Sequence, residues 1–67
     1  MSLAKLTEIN AASDKSFEDA VNKGIKRASK TLKIVVGAWV QDKQVTVKNG
    51  KISEYRVNLK VTFILKN

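Results

Sequence analysis

The side chains that this chain lacks limit the catalytic chemistry open to it. The sequence contains no cysteine and no histidine, so a serine or cysteine nucleophile activated by a histidine base is excluded in its usual form. The six acidic residues do not follow the spacing of an EF-hand calcium loop. We therefore expect a protein that is not an enzyme and has no metal site of its own. Carboxylates from several subunits could still converge on a calcium ion at a symmetry axis.

Trp39 is the only tryptophan and the residue best suited to bind a planar ligand, because an indole ring offers a large, rigid π-face. The surrounding pattern predicts that it lies on a mostly polar face of a strand. It could pack beneath a neighbouring subunit, act as a stacking platform for a planar ligand, or simply be exposed. The first two interpretations require a partner on this face, so we expect an oligomer.

Trp39 is positioned by a predicted β-hairpin over residues 34–65 that turns at Asn49-Gly50. Beyond the turn, apolar residues recur at every second position from Tyr55 to Leu65, which predicts a strand with one apolar and one polar face. Asn-Gly readily adopts the positive φ angles of a type I′ turn. A chain of this size cannot cover both faces of so long a ribbon, so one face is expected to need a partner.

The turn also predicts the register of the hairpin, if Asn49 and Gly50 are its two loop residues. The helix-side row then contains the pairs Val36–Phe63, Ala38–Val61 and Val40–Leu59, and Asp42 opposite Val57. The other face contains the pairs Gly37–Thr62, Trp39–Lys60, Gln41–Asn58, Lys43–Arg56, Val45–Glu54 and Val47–Ile52. Asp42 is a charged residue in this otherwise apolar row. It could lie at a solvated end of the strand, contact a lysine of the helix, or take part in an ion site.

A helix is predicted over residues 17–32, where apolar residues recur at spacings of three and four. Ser16 followed by Asp19 resembles a capping box, with Ser16 as the N-cap. Weaker alternation predicts a first strand over residues 4–10, followed by a loop over residues 11–15. The predicted order is strand, helix, strand, strand, in a single domain over residues 1–67, and the fold class is α+β.

The net charge of +7, from 13 basic and 6 acidic residues, is suited to an anionic partner. The basic residues are divided between the helix and the hairpin, without a long basic run or an aromatic pair of the RNA-recognition type, so nucleic-acid binding is not favoured. No apolar run reaches the roughly 18 residues that a membrane span needs, and the N-terminus has no signal-peptide pattern. We expect a cytoplasmic protein without a membrane partner.

Two segments carry a resemblance to a known family. The sequences RASKTL (27–32) and NGKISEYRVNLKVTF (49–63), with the spacing between them, resemble the dodecins, which are small flavin-binding proteins. The resemblance covers nearly the whole chain. It implies a β-α-β-β fold with one helix packed on a three-stranded antiparallel sheet. It also implies a hollow homododecamer with the helices outside and the sheets facing inward, which would cover the second face of the hairpin.

The resemblance also implies where a ligand would bind. Flavin-binding dodecins stack a tryptophan of the second strand on the isoalloxazine ring, and a glutamine of the third strand hydrogen-bonds the ring. Gly37 and Arg56 occupy these two positions here, and Trp39 lies on the same face about 7 Å further along the strand. The implied cofactor-binding residues are Gly37, Trp39, Gln41, Lys43, Arg56 and Asn58.

Three functions are compatible with this resemblance. FMN or riboflavin could bind with Trp39 as a displaced platform and Arg56 or Lys43 attracting an FMN phosphate, for storage and quenching rather than redox catalysis. At Tyr55-Arg56 the chain instead resembles dodecin-like members that lack the tryptophan and have been associated with calcium. The third possibility is a shell without a small ligand that interacts through its basic surface.

Overall fold

The sheet and helix follow the predicted order along the chain. The computed structural model describes residues 3–31 and 34–65. It contains β1 (Leu3–Ser13), α1 (Phe17–Thr31), β2 (Ile34–Lys48) and β3 (Lys51–Leu65). The strands form an antiparallel sheet in the order β1-β3-β2, with α1 packed on one face. The α+β fold class and the β-α-β-β order are confirmed. Among the described residues, no helix is long and apolar enough to cross a membrane.

The first strand is longer than the sequence pattern indicates. β1 continues to Ser13, which pairs with Tyr55 of β3, so the loop predicted over residues 11–15 is wrong for its first three residues. The long central strand offers backbone partners over this whole stretch, and these override the weak alternation of β1. The predicted helix end at Leu32 lies outside the described residues.

A hydrogen-bonded cap fixes the start of the helix. The Asp19 amide donates to Ser16 Oγ at 2.9 Å, which confirms Ser16 as the N-cap. The Asp19 carboxylate accepts a bond from the hydroxyl of buried Ser13, whose oxygen accepts from the Lys15 amide at 2.9 Å. The bond from Ser13 lowers the pKa of Asp19, and Lys23, with its Nζ 3.3 Å from Asp19 Oδ2, lowers it further. This cap joins the end of β1 to the first turn of α1.

In the core, small residues of the helix pack against larger residues of the central strand. Ala20 and Ala28 of α1 and three apolar residues of β3 are all at most 2% exposed; the β3 residues are Val57, Leu59 and Val61. At Gly24 a Cβ would lie 2.8 Å from Leu59 Cδ1 and 3.1 Å from Ala11 Cβ. The missing side chain therefore allows the helix to lie close to the sheet.

The predicted turn is confirmed, and the predicted register is confirmed in part. Asn49 and Gly50 have φ values of 52° and 75°, as a type I′ turn requires. The confirmed pairs are Gly37–Thr62, Ala38–Val61, Trp39–Lys60, Val40–Leu59 and Val47–Ile52.

The remaining predicted pairs are wrong because the register shifts at three points, between Val35 and Gly37, between Val40 and Asp42, and near Thr46. Each extra residue of a β-bulge advances the pairing by one and exchanges the faces of the residues that follow. The pairs that replace the prediction are Val35–Phe63, Asp42–Asn58, Lys43–Val57, Gln44–Arg56, Val45–Tyr55 and Thr46–Glu54.

A candidate ligand-binding face of the sheet

The sheet face opposite the helix, here called the open face, is defined by alternation along β3. The residues of β3 that face the helix are buried, and those between them are partly exposed. Strand pairing then assigns residues of β1 and β2 to the same face. The central part of the open face consists of Leu6, Glu8, Asn10, Gly37, Trp39, Asp42, Gln44, Arg56, Asn58, Lys60 and Thr62.

Trp39 is an exposed aromatic ring in the middle of this face. Its side chain is 54% exposed, and it lies opposite Lys60, which in turn lies opposite Glu8 of β1. At Gly37, two residues earlier, a Cβ would meet no atom within 4 Å. The prediction that Trp39 points away from the helix is confirmed. The space beside it would allow a flat molecule to lie over Gly37 and contact the indole.

Side-chain amides lie on the open face one step along the strands from Trp39. Asn58 Nδ2 donates to Glu8 Oε2 and to Gln41 Oε1, at 3.4 Å in each case. Gln41 has no pairing partner on β3, because the register shifts beside it, yet its side chain reaches the open face through this bond. Hydrogen bonds of this length are weak, so both amides can exchange them for bonds to a ligand.

A concavity of about 240 Å³ lies on the open face beside these amides and is lined by Asn10, Asp42, Gln44, Arg56, Val57 and Asn58. Arg56 Nη1 donates to Glu54 Oε1 at 2.9 Å, which uses one of the five guanidinium donors. Within residues 3–31 and 34–65 the guanidinium makes no other side-chain bond, so its remaining donors can bind an anionic or carbonyl oxygen.

Asp42 and Gln44 are lining residues that sequence reasoning missed. An unshifted register places Asp42 on the helix-side row opposite Val57, whereas the bulge places it opposite Asn58. A carboxylate in a row that should be buried is itself a signal, since buried charges are rare unless they are paired. That conflict in the alternation could have indicated a register shift.

Lys43 is the one predicted ligand residue that lies on the wrong side of the sheet. It pairs with Val57 on the helix side, and its Nζ lies 5.4 Å from the centroid of the Phe17 ring. Phe17 in turn packs edge-to-face on Tyr55, with ring centroids 5.1 Å apart. The placement of Lys43 beside Trp39 was therefore wrong. The other predicted residues, Gly37, Trp39, Gln41, Arg56 and Asn58, lie on or reach the open face.

The charged residues of the open face nearly balance each other. In the central part of the open face, Glu8 and Asp42 are balanced by Arg56 and Lys60, so its net charge is about zero within a chain of net charge +7. Within residues 3–31 and 34–65, no three carboxylates are grouped closely enough to hold a metal ion. The face is therefore suited to a largely neutral, planar molecule with a polar edge.

Solved structures similar to this chain have the same fold over almost their full length. The dodecin from Streptomyces davaonensis is 29% identical, with a TM-score of 0.95, and the match covers 98% of this chain and 97% of that chain. A variant of the Thermus thermophilus dodecin is 28% identical, with a TM-score of 0.93 and coverage of 100% of both chains.

A third similar structure is the calcium-chelating immunodominant antigen of Mycobacterium tuberculosis, a calcium dodecin with a novel calcium-binding site. It is 30% identical, with a TM-score of 0.85, and the match covers 97% of this chain and 93% of that chain. No curated protein matches the chain significantly. The family model Dodecin matches residues 3–66, and the chain therefore belongs to the dodecin family.

Proposed function

We propose that this protein stores a flavin, FMN or riboflavin, on its open face within a homo-oligomer, and that it catalyses no reaction. The half-exposed indole of Trp39 beside the empty space at Gly37 carries the proposal. An aromatic ring of this size left in water on a mostly polar face is unfavourable unless something covers it. Among planar ligands, the resemblance to flavin-binding dodecins favours the isoalloxazine ring of a flavin.

The polar groups of the open face are suited to the edge of an isoalloxazine ring, which carries both hydrogen-bond donors and acceptors. The amides of Gln41 and Asn58 supply both kinds of partner and are held only by weak mutual bonds. Arg56 can donate to a ring carbonyl or to the phosphate of FMN. A stacked indole quenches an excited flavin, and the chain has no histidine or cysteine to relay protons, so storage and quenching fit better than turnover.

The oligomer in this proposal is the homododecamer implied by the resemblance. The subunit is elongated, with principal extents of 52 × 18 × 13 Å, and exposes large apolar side chains along its hairpin. Examples are Val47 and Ile52, paired near the turn and 59% and 52% exposed. Burial of such residues between subunits is favourable by roughly 25 cal/mol per Å² of apolar surface. Native mass spectrometry tests the assembly, and a monomeric mass of 7.4 kDa would refute it.

Calcium binding is the second candidate, favoured by the oxygen-rich concavity and by the calcium-chelating relative. Asn10, Asp42, Gln44 and Asn58 could supply oxygen ligands of the kind that calcium prefers. Only one of these four is a carboxylate, and Arg56 places a positive charge in the same lining. A single subunit therefore suits calcium less well than a flavin, unless a neighbouring subunit adds carboxylates.

Fluorescence titration tests the flavin proposal. We expect micromolar FMN or riboflavin to lose its fluorescence stoichiometrically when the purified protein is added. Absence of quenching, together with a melting temperature that rises with calcium and falls with a chelator, would favour the calcium candidate instead. Absence of both effects would leave an assembly without a small ligand.

A further inference from the structure

The positive charge of the chain is concentrated away from the open face, and its densest part is on the helix. Lys23, Lys26, Arg27 and Lys30 are all exposed. Lys23 is three residues from Lys26 and four from Arg27, and Lys30 is four from Lys26 and three from Arg27, so all four lie on one side of α1. We call these four residues the basic stripe. Lys23 is paired with Asp19. Among the ion pairs of the described residues, none involves the other three cations.

We propose that the basic stripe binds the phosphate backbone of a double-stranded nucleic acid without sequence preference. The four residues span about 10 Å of helix at 1.5 Å per residue, and each DNA strand carries one phosphate about every 3.4 Å of duplex axis. Each strand thus presents about three phosphates over a length of duplex axis equal to that of the stripe. Asn22 and Ser29, exposed on the same helix, can donate further hydrogen bonds to phosphate oxygens.

The composition of the helix surface favours a duplex over a membrane or a single strand. A membrane-surface helix inserts an apolar face between lipids, whereas the small apolar residues Ala20, Gly24 and Ala28 are buried against the sheet. Single strands are bound by stacking their bases on aromatic rings. The exposed residues from Asn22 to Thr31 include no aromatic residue. Of these three partners, the surface of α1 is therefore best suited to the phosphates on the outside of a duplex.

Nucleic-acid binding was not favoured by the sequence because the cations are divided between two segments. The structure sorts them by face instead: Lys43 of β2 lies on the helix side with the stripe, while the open face is close to neutral. In an assembly with outward helices, copies of the stripe would also add their contacts by multivalency. The inference does not depend on flavin binding, since it uses the opposite face of the sheet.

Fluorescence anisotropy with a labelled 20-base-pair DNA duplex tests the proposal. We expect binding at 50 mM salt with log K falling linearly against log salt, at a slope of about −0.9 per neutralised phosphate. The variant Lys26→Gln/Lys30→Gln should reduce the steepness of the slope by about 2. Its matched control is Lys48→Gln/Lys51→Gln, which removes the same charge beside the hairpin turn and should leave the slope nearly unchanged. Circular dichroism checks that both variants fold. If Lys26→Gln/Lys30→Gln does not fold, Lys23→Gln/Arg27→Gln takes its place in the test.

Three results would overturn this inference. An equal decrease of the salt slope in the two double variants would show that binding depends only on the net charge of the protein. Absence of binding to the duplex at 50 mM salt would show that the basic stripe is not a nucleic-acid site. Tighter binding to vesicles that contain anionic lipid than to the duplex, at equal phosphate concentration, would assign the stripe to a membrane surface. Flavin quenching should be the same in both double variants, which separates this test from that of the open face.

Discussion

The two faces of β3 differ in what stabilises them, although their residues alternate along one strand. On the helix side, Val57, Leu59 and Val61 are at most 2% exposed and form a buried apolar core. On the open face, Asn58 and Lys60 lie beside the exposed Trp39, and the Asn58 side chain makes only long hydrogen bonds of 3.4 Å. The comparison indicates that the helix side determines stability and the open face is available for binding.

Truncation in the core should have the largest effect. Leu59→Ala removes a fully buried side chain and should lower the free energy of unfolding by about 2–5 kcal/mol. Asn58→Ala, one residue away on the open face, should change it by no more than about 0.5 kcal/mol. Urea denaturation measures both. Similar losses for the two variants would contradict the division of roles between the faces.

Truncation of the indole should affect binding and leave stability nearly unchanged. Trp39→Ala is expected to weaken flavin binding at least tenfold, equivalent to about 1.4 kcal/mol, because it removes the proposed stacking surface. Trp39→Phe serves as a control, since it keeps an aromatic ring at the same place on the open face and should retain most of the affinity. Unchanged affinity in Trp39→Ala would place the ligand elsewhere.

Two glycines provide a matched test of packing density. Gly24→Ala places a Cβ 2.8 Å from Leu59, and the strain of about 1–3 kcal/mol should exceed the gain in helix propensity of about 1 kcal/mol. We expect a loss of about 1 kcal/mol. Gly37→Ala enters open space and should not destabilise the fold. A higher melting temperature for Gly24→Ala would show that Leu59 can move aside.

The smallest expected effect concerns acid stability and the cap at Asp19. The folded-state pKa of Asp19 lies below the ordinary value of 3.8 because of the Ser13 hydrogen bond and Lys23. Its stabilisation is therefore present above about pH 4 and is lost as the pH falls through the folded pKa. Asp19→Asn should flatten the fall of stability in acid. Glu18→Gln, a control in the same helical turn, should keep the steeper fall.

The sequence by itself determined the features that depend on neighbours along the chain. Asn49-Gly50 required a tight turn, Ser16 capped the helix, and alternation from Tyr55 onward assigned the faces of β3. These signals are local, since each depends on backbone preferences or hydrogen bonds within a few residues. The flavin, the dodecamer and the cytoplasmic location remain predictions.

The tertiary structure decided the composition of the open face. Bulges beside Val36, Gln41 and Ser53 shift the pairing of β2 with β3. They place Asp42 on the open face and Lys43 on the helix side of the sheet. Alternation assigns a residue to a face only while the pairing is regular, and a bulge arises where the twisted sheet bends around what packs on it. That bend depends on the whole sheet and helix, which no single stretch of sequence encodes.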